Sequence, residues 1–316
     1  MSAALSSDLA PALPNRPNLE NPPEGAVRLH EWGVIRAQGA EAAKFLHSQL
    51  TQDVEHLSQG EVKLAGYCSA KGRLLASFVM WRRGPEDVLL ACSADLLPSV
   101  LKRLSMFVLR AKCKLSDASA ELPLWGLAGP AATATKAIGT IEGELLPLPN
   151  AVVAGEPVAR ALWVGAFEPA GPVLDTEAWR WLEVHSGVAR IVAATSGQFV
   201  PQMVNLELVG GVNFQKGCYP GQEIVARSQY RGSLKRRAYV LESTAPLHPA
   251  QEVYLAGEAE QPAGMVALAG SWGGRHAGLV EMKIAALAAG TLHAGRADGP
   301  VLTLAELPYA IPTEAA

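Results

Sequence analysis

The run Lys216-Gly-Cys-Tyr-Pro-Gly-Gln-Glu-Ile-Val-Ala-Arg227 is the stretch on which the reading of this chain turns. It sets Cys218 between two glycines, with Lys216 just before it and Glu223 shortly after. Gly217 and Gly221 permit backbone angles that other residues avoid, and Pro220 fixes its own φ, so the segment reads as a tight, shaped loop. From Gln222 an element starts that leads into the body of the protein. A cation beside a thiol on a rigid turn favours the thiolate, so Cys218 is a candidate functional thiol and Lys216 its activating charge. The other reading of a lone cysteine is a small buried hydrophobe. Cys68, Cys92 and Cys113 sit in apolar or mixed runs and read as core residues. No CxxC spacing occurs, so no structural metal site is expected.

With 316 residues, 49% of them hydrophobic, the chain can bury a large core and divide into more than one domain. A formal net charge of -3 makes no global electrostatic case for nucleic acid. Cysteines without paired spacing suit a reducing compartment. The first residues lack the basic and apolar regions of a signal peptide, and no stretch approaches the length of a spanning helix. The expectation is a soluble cytoplasmic protein without a membrane partner.

Outward from the signature, residues 1–25 are rich in Pro, Asn and Ala and read as a flexible arm. Trp32–Arg36 reads as a strand, and Ala42, Phe45, Leu46 and Leu50 share one face of a helix opened by Gly39. Strands are expected over Val62–Cys68 and Arg73–Arg82, joined by a turn at Ser69–Gly72, and over Asp87–Cys92. Leu97, Val100, Leu101, Leu104, Phe107 and Val108 recur at helical spacing and predict an amphipathic helix. The stretch from Leu122 to Asp175 reads as a second αβ unit, and Thr176–Ser186 as a helix capped by Asp175 or Thr176 and stopped by Gly187. Beyond Lys235, five short strand-like runs separated by turns predict a small β-barrel or sandwich.

On these residues the chain resembles the YgfZ folate-binding protein family, relatives of the glycine-cleavage aminomethyltransferase. The signature run carries the resemblance together with Gly33–Arg36 and Phe45–Val54, Ala70–Leu75, Val108–Lys112, and Phe199–Met203 through Gly210–Val212. The resemblance implies an α+β fold, with aminomethyltransferase-like αβ folate-binding subdomains around a central channel and a C-terminal β-barrel. It divides the chain into a flexible arm (1–25), a first αβ folate-binding subdomain (26–120), a second αβ subdomain (121–175), a return to the folate-binding region with the cysteine loop (176–236), and the barrel (237–316). The implied ligand is tetrahydrofolate or a substituted folate. The implied role is an accessory one, supporting assembly or repair of iron–sulfur enzymes, among them one that thiolates tRNA. Iron–sulfur proteins would then be transient partners, and contact with RNA indirect.

In that picture Trp32 and Trp179 match positions that contact the folate, where an indole can stack on a pterin. The alternative is that both are ordinary core tryptophans. Gln202 and Asn205 can supply paired donor and acceptor edges, Glu207 a carboxylate, and Arg190 and Arg227 guanidiniums for a glutamate tail. Two departures from the relatives bear on activity. Where aminomethyltransferases carry an acidic pair, this chain has Ala76-Ser77, so the carboxylate expected to assist transfer is missing and such enzyme activity is not expected. A folate-dependent one-carbon transferase stays as the alternative function. Where relatives carry Glu-Ala-Gly, this chain has His185-Ser186-Gly187. A cysteine-nucleophile hydrolase would need a histidine base, and none of the seven histidines declares itself as one. The local basic run Arg227, Arg231, Lys235, Arg236 and Arg237 reads either as an RNA-facing surface or as the solvated face of a strand.

Overall fold

The computed structural model describes residues 22–133, 143–166, 168–169, 171–230 and 234–312. The arm expected over 1–25 lies outside the described residues up to 21. Its last residue, Gly25, already opens a strand.

Two antiparallel sheets and a closed barrel are strung along the chain. Strands β1 (Gly25–Arg28) and β2 (Trp32–Gln38) are followed by helix α1 (Ala42–His47). Next come β3 (Val62–Cys68), β4 (Leu74–Gly84), β5 (Asp87–Ser93), α2 (Leu97–Val108) and β6 (Lys114–Asp117). The first sheet has the order β3-β4-β5-β2-β6. The α2 stripe buries Leu97, Val100 and Leu104 as the periodicity predicts, but Phe107, at the edge of that stripe, is 45% exposed.

The second sheet, β1-β7-β9-β8, is built from β7 (Leu124–Ala128), β8 (Glu144–Val153) and β9 (Glu156–Val164), with the short helix α3 (Pro130–Thr133) between the first two. Here the expected partition shifts: β1 does not join the sheet that follows it but pairs with β7, nearly a hundred residues on. Its four residues carry no pattern that names a partner. The pairing is pinned by the chain beyond β9, where the Ala26 N–H donates to Pro172 O at 2.9 Å.

Helix α4 (Thr176–His185) is capped by the Asp175 carboxylate, which accepts from the Glu177 N–H, and Gly187 at φ +65° ends the turn that follows it. It is buried almost all round because it lies between the second sheet and the barrel. Glycines make both approaches possible. A Cβ on Gly126 of β7 would stand 2.7 Å from the Trp179 ring, and one on Gly270 would stand 2.6 Å from the Arg180–Trp181 backbone. This packing carries Glu183 and His185, polar residues on a short helix, into the interior.

After α5 (Gln222–Tyr230) the chain forms β10 (Arg236–Ser243), β11 (Glu252–Leu255), β12 (Gly264–Trp272), β13 (Arg275–Lys283), α6 (Ala286–Ala289), β14 (Leu292–Ala294) and β15 (Val301–Leu304). These six strands close a barrel in the order β10-β13-β12-β11-β14-β15, with Leu241, Val253, Val266, Val280 and Met282 in its core. The five expected strands are all present; β14, three residues long, is the addition. A larger core joins both sheets, α4 and the outer face of the barrel through Ala238, Val240, Leu268 and Leu279. Among the described residues no helix is long and apolar enough to cross a membrane.

Candidate functional site

Two places concentrate unusual chemistry: a cavity between the sheets and the loop that carries Cys218. The cavity is walled by Trp32, Ser77 and Phe78 of the first sheet, Leu148 and Arg160 of the second, and Glu183 and Arg190 at the end of α4 and beyond. Its free volume is about 30 Å³, room for about two waters.

Charge in this wall is arranged in pairs. Glu183 takes both Arg190 Nε and an Arg190 Nη at 2.9 Å, and Glu31 accepts from the same guanidinium at 3.0 Å. Burial works against the charge on Arg190, but the carboxylates of Glu183, Glu31 and Asp95 outweigh it and hold its pKa above the ordinary value. Arg160 is buried, donates to Leu182 O at 3.1 Å, and is pushed down to about 10 by burial, which still leaves a cation at neutral pH. The guanidinium of Arg190 lies 5.1 Å from the centre of the Trp32 ring, and that of Arg160 lies 4.9 Å from the centre of Trp179. Trp32 Nε1 and Arg160 Nε are buried donors without a hydrogen-bond partner. Ser77 is committed: its hydroxyl donates to Ala189 O at 3.1 Å and accepts from the Ile191 N–H at 2.9 Å. A wider cleft of about 690 Å³ adjoins the cavity, lined in part by Glu31, Arg180, Asp95 and His248, and Arg190 stands in the wall of both.

The structure sorts the expected ligand-binding residues. Trp32 and Arg190 line the cavity. Trp179 is fully buried behind it, under Arg160 and over Gly126. Gln202 and Asn205 lie in the core away from the cavity. Gln202 donates to Val225 O at 2.8 Å, and Asn205, left-handed at φ +57°, donates to Ala238 O at 2.8 Å and bonds the Tyr309 hydroxyl at 3.2 Å. Glu207 forms a buried ion pair with Arg237, and Arg227 is exposed on α5. His185 lies against Trp181, ring centroids 4.2 Å apart, with burial and then the Arg275 charge pushing its pKa down to about 4. Glu183 and Arg160, which also line the cavity, were not singled out from the sequence. A glutamate among the bulky apolar residues of α4 was the only available signal.

Of the three cysteines expected in the core, Cys68 and Cys92 are buried, but Cys113, just before the edge strand β6, is only half-buried; Cys218 is exposed. Burial pushes the Cys68 and Cys92 thiols up to about 12, which leaves them inert at neutral pH. The Cys218 loop docks on the turn between β3 and β4, where a Cβ on Gly221 would stand 2.3 Å from Ser69 O and 2.7 Å from Gly72. Gly221 takes φ +80° and Gly72 takes φ +70°, so both glycines are required by close approach and by conformation. Lys216 is buried rather than free beside the thiol. Its ammonium donates to His47 O and to Leu50 O (2.8 Å) and sits 4.9 Å from the centre of the Tyr219 ring. Burial pushes it down to about 8, against the charges of Asp53, Cys218 and Glu55. Of the basic run, Arg236 and Arg237 are spent on Glu281 and Glu207, while Arg231 lies outside the described residues.

Two facing αβ sheets with an appended barrel define the class: an aminomethyltransferase-like fold. The glycine cleavage system aminomethyltransferase T of Bartonella henselae superposes with a TM-score of 0.68 over 92% of this chain and 87% of that one, at 15% identity. Among curated proteins, the tRNA-modifying protein YgfZ of Serratia proteamaculans (strain 568) is 33% identical over 69% of this chain and 71% of its own length. Those of Photorhabdus laumondii and Colwellia psychrerythraea are 33% and 31% identical, over 71% and 72% of this chain and 72% and 74% of their own lengths. No protein-family model matches. The chain belongs to the YgfZ family.

Proposed function

We propose that this protein is a YgfZ-type accessory factor of tRNA modification that binds a reduced folate in the cavity between its sheets and acts in the cytoplasm through the thiol of Cys218. In this reading it supports iron–sulfur enzymes, including one that thiolates tRNA. One observation carries the folate part: an apolar slot lined by Trp32, Arg160 and Glu183, in which Trp32 Nε1 and Arg160 Nε are buried donors without a partner. A pterin is flat and presents both amide acceptors and amino donors, which is the complement of that wall. When bound, a reduced folate supplies nitrogens that carry one-carbon units.

The protein's own residues bind and orient. Trp32 presents an indole edge, Arg160 a donor, and Glu183 the lone pairs left over from Arg190. At about 30 Å³ the slot must widen to seat a pterin ring. The place for that is the β8 edge, where pairing with β9 shifts register between Leu148 and Ala151 beside the cavity. The glutamate tail then points to the wider cleft past Arg190.

The alternative, a one-carbon transferase, lacks its base. Ser77 occupies the expected place of a carboxylate, and its hydroxyl is tied to the backbone on both sides. Contact with RNA stays indirect in this reading, because two of the cations in the basic run are paired within the fold.

The test is anaerobic titration of the full chain with tetrahydrofolate, followed by calorimetry and tryptophan fluorescence. Saturable binding, weakened about tenfold or more in Trp32→Leu through loss of the indole donor and retained in Cys218→Ser, is the expected result. Absence of saturable binding by the unaltered protein refutes the folate reading.

A further inference from the structure

Cys218 has a histidine beneath its loop. The signature segment crosses the C-terminal end of α1 so closely that a Cβ built on Gly217 would stand 3.6 Å from His47 Nε2. The other ring nitrogen of His47, Nδ1, is 3.1 Å from Asp53 Oδ1. Asp53 is fixed in turn by the backbone N–H of His56 at 3.1 Å and by its ring at 2.8 Å. Burial works against the Asp53 charge, but the hydrogen bonds from His56, with smaller electrostatic contributions from the neighbouring His47 and His56 rings, outweigh it, so the carboxyl is held below its ordinary value. An ionised carboxylate only accepts, so the His47 proton resides on Nδ1 and leaves Nε2, the nitrogen under the loop, free to take a proton. Lys216 fastens the two parts by donating to the carbonyl of His47 itself.

We propose that Cys218, His47 and Asp53 form a thiol–imidazole–carboxylate triad that performs exchange on a disulfide-bearing partner, an inference that rests on Cys218 being the working thiol. His47 Nε2 takes the proton from Cys218 as Sγ bonds to one sulfur of the partner disulfide. The partner S–S bond breaks, and the departing thiolate takes the proton back from Nε2. The products are a mixed disulfide on Cys218 and one free thiol, and no outside oxidant or reductant is consumed. Asp53 is a positioning residue that holds the tautomer. Lys216 holds the loop over the base, and its charge reaches the thiol.

The experiment uses the full chain and 4,4′-dithiodipyridine, with the released thiopyridone followed by stopped flow from pH 6 to above pH 9. The unaltered protein is expected to show one fast phase that Cys218→Ser removes. His47→Gln slows that phase about tenfold or more at neutral pH, because an unassisted thiol is only a few per cent thiolate there. The gap closes at high pH, where hydroxide supplies the thiolate, and Asp53→Asn shows a smaller slowing with the same pH dependence. A fast phase that is equally fast in His47→Gln, or a slowing that persists undiminished at high pH, overturns the triad while leaving Cys218 a working thiol. Absence of the fast phase from the unaltered protein removes the working thiol itself. Should His47→Gln fail to fold, Asp53→Asn decides: a rate equal to that of the unaltered protein at every pH overturns the triad. Tetrahydrofolate binding on the same samples reports separately on the cavity.

Discussion

Replacing Glu183 by Gln tests whether the cavity wall is a dry, charge-paired structure. The side chain is 3% exposed, and both of its oxygens are engaged by Arg190, whose own side chain is 7% exposed. Arg160, Arg190 and Arg180 meet Glu183 and Glu31, a group of three cations and two anions. The substitution keeps the volume and one acceptor oxygen but removes the Glu183 charge, leaving Arg190 with Glu31 alone and taking from buried Arg160 the carboxylate that favours its charge. Breaking a buried pair from one side costs about 3–5 kcal/mol, and the retained acceptor places this case near 3 kcal/mol. At roughly 2 °C per kcal/mol for a large domain, the melting point falls by about 6 °C. Urea unfolding followed by tryptophan fluorescence measures the loss, and a cycle with Arg190→Met isolates the pair. The double variant, which removes the direct Arg190–Glu183 pair whole, is expected to be more stable than Glu183→Gln alone. A loss below about 1 kcal/mol for Glu183→Gln, or strict additivity in the cycle, refutes the argument, because the pair would then be screened by solvent as surface pairs are.

Two further outcomes are expected. His185 is held neutral, with a folded-state pKa of about 4 set by burial and the Arg275 charge. The unfolded chain therefore binds its proton first, and stability falls by roughly 3 kcal/mol as the pH drops from about 6.5 toward 4. His185→Phe should remove that part of the acid slope in unfolding measurements, and an unchanged slope would show that other groups cause it. Asn205→Ala strands the Ala238 carbonyl, removes the bond to Tyr309, and puts alanine at φ +57°. The expected loss is about 2–4 kcal/mol, of which Asn205→Gly recovers about 1 by relieving the backbone. Full stability combined with lost folate binding would move Asn205 from the scaffold to the ligand.

Much of the fold was legible because it is written in local patterns. The period of α2, the Asp175 cap and Gly187 stop of α4, and the turn-separated barrel strands all act within a few residues. The exposed thiol was legible too, since glycines and a proline shape its loop whatever lies around it. Phe107 shows the limit: periodicity places it beside the stripe, but only the extent of the sheet beneath decides whether it is covered.

The sequence by itself determined the αβ units, the barrel, the family likeness and the cysteine that stands apart from the rest. The tertiary structure alone decided that β1 joins β7, that Glu183 and Arg160 face the cavity while Trp179, Gln202 and Asn205 do not, that Lys216 is a buried fastener, and that His47 lies under the Cys218 loop. The reason is physical. A helix period or a turn is set by forces between near neighbours, whereas the partner of a short strand and the surroundings of a buried charge are set by packing between segments far apart in the chain. His47 and Gly217 are brought together by a tertiary contact, and no local pattern announces it.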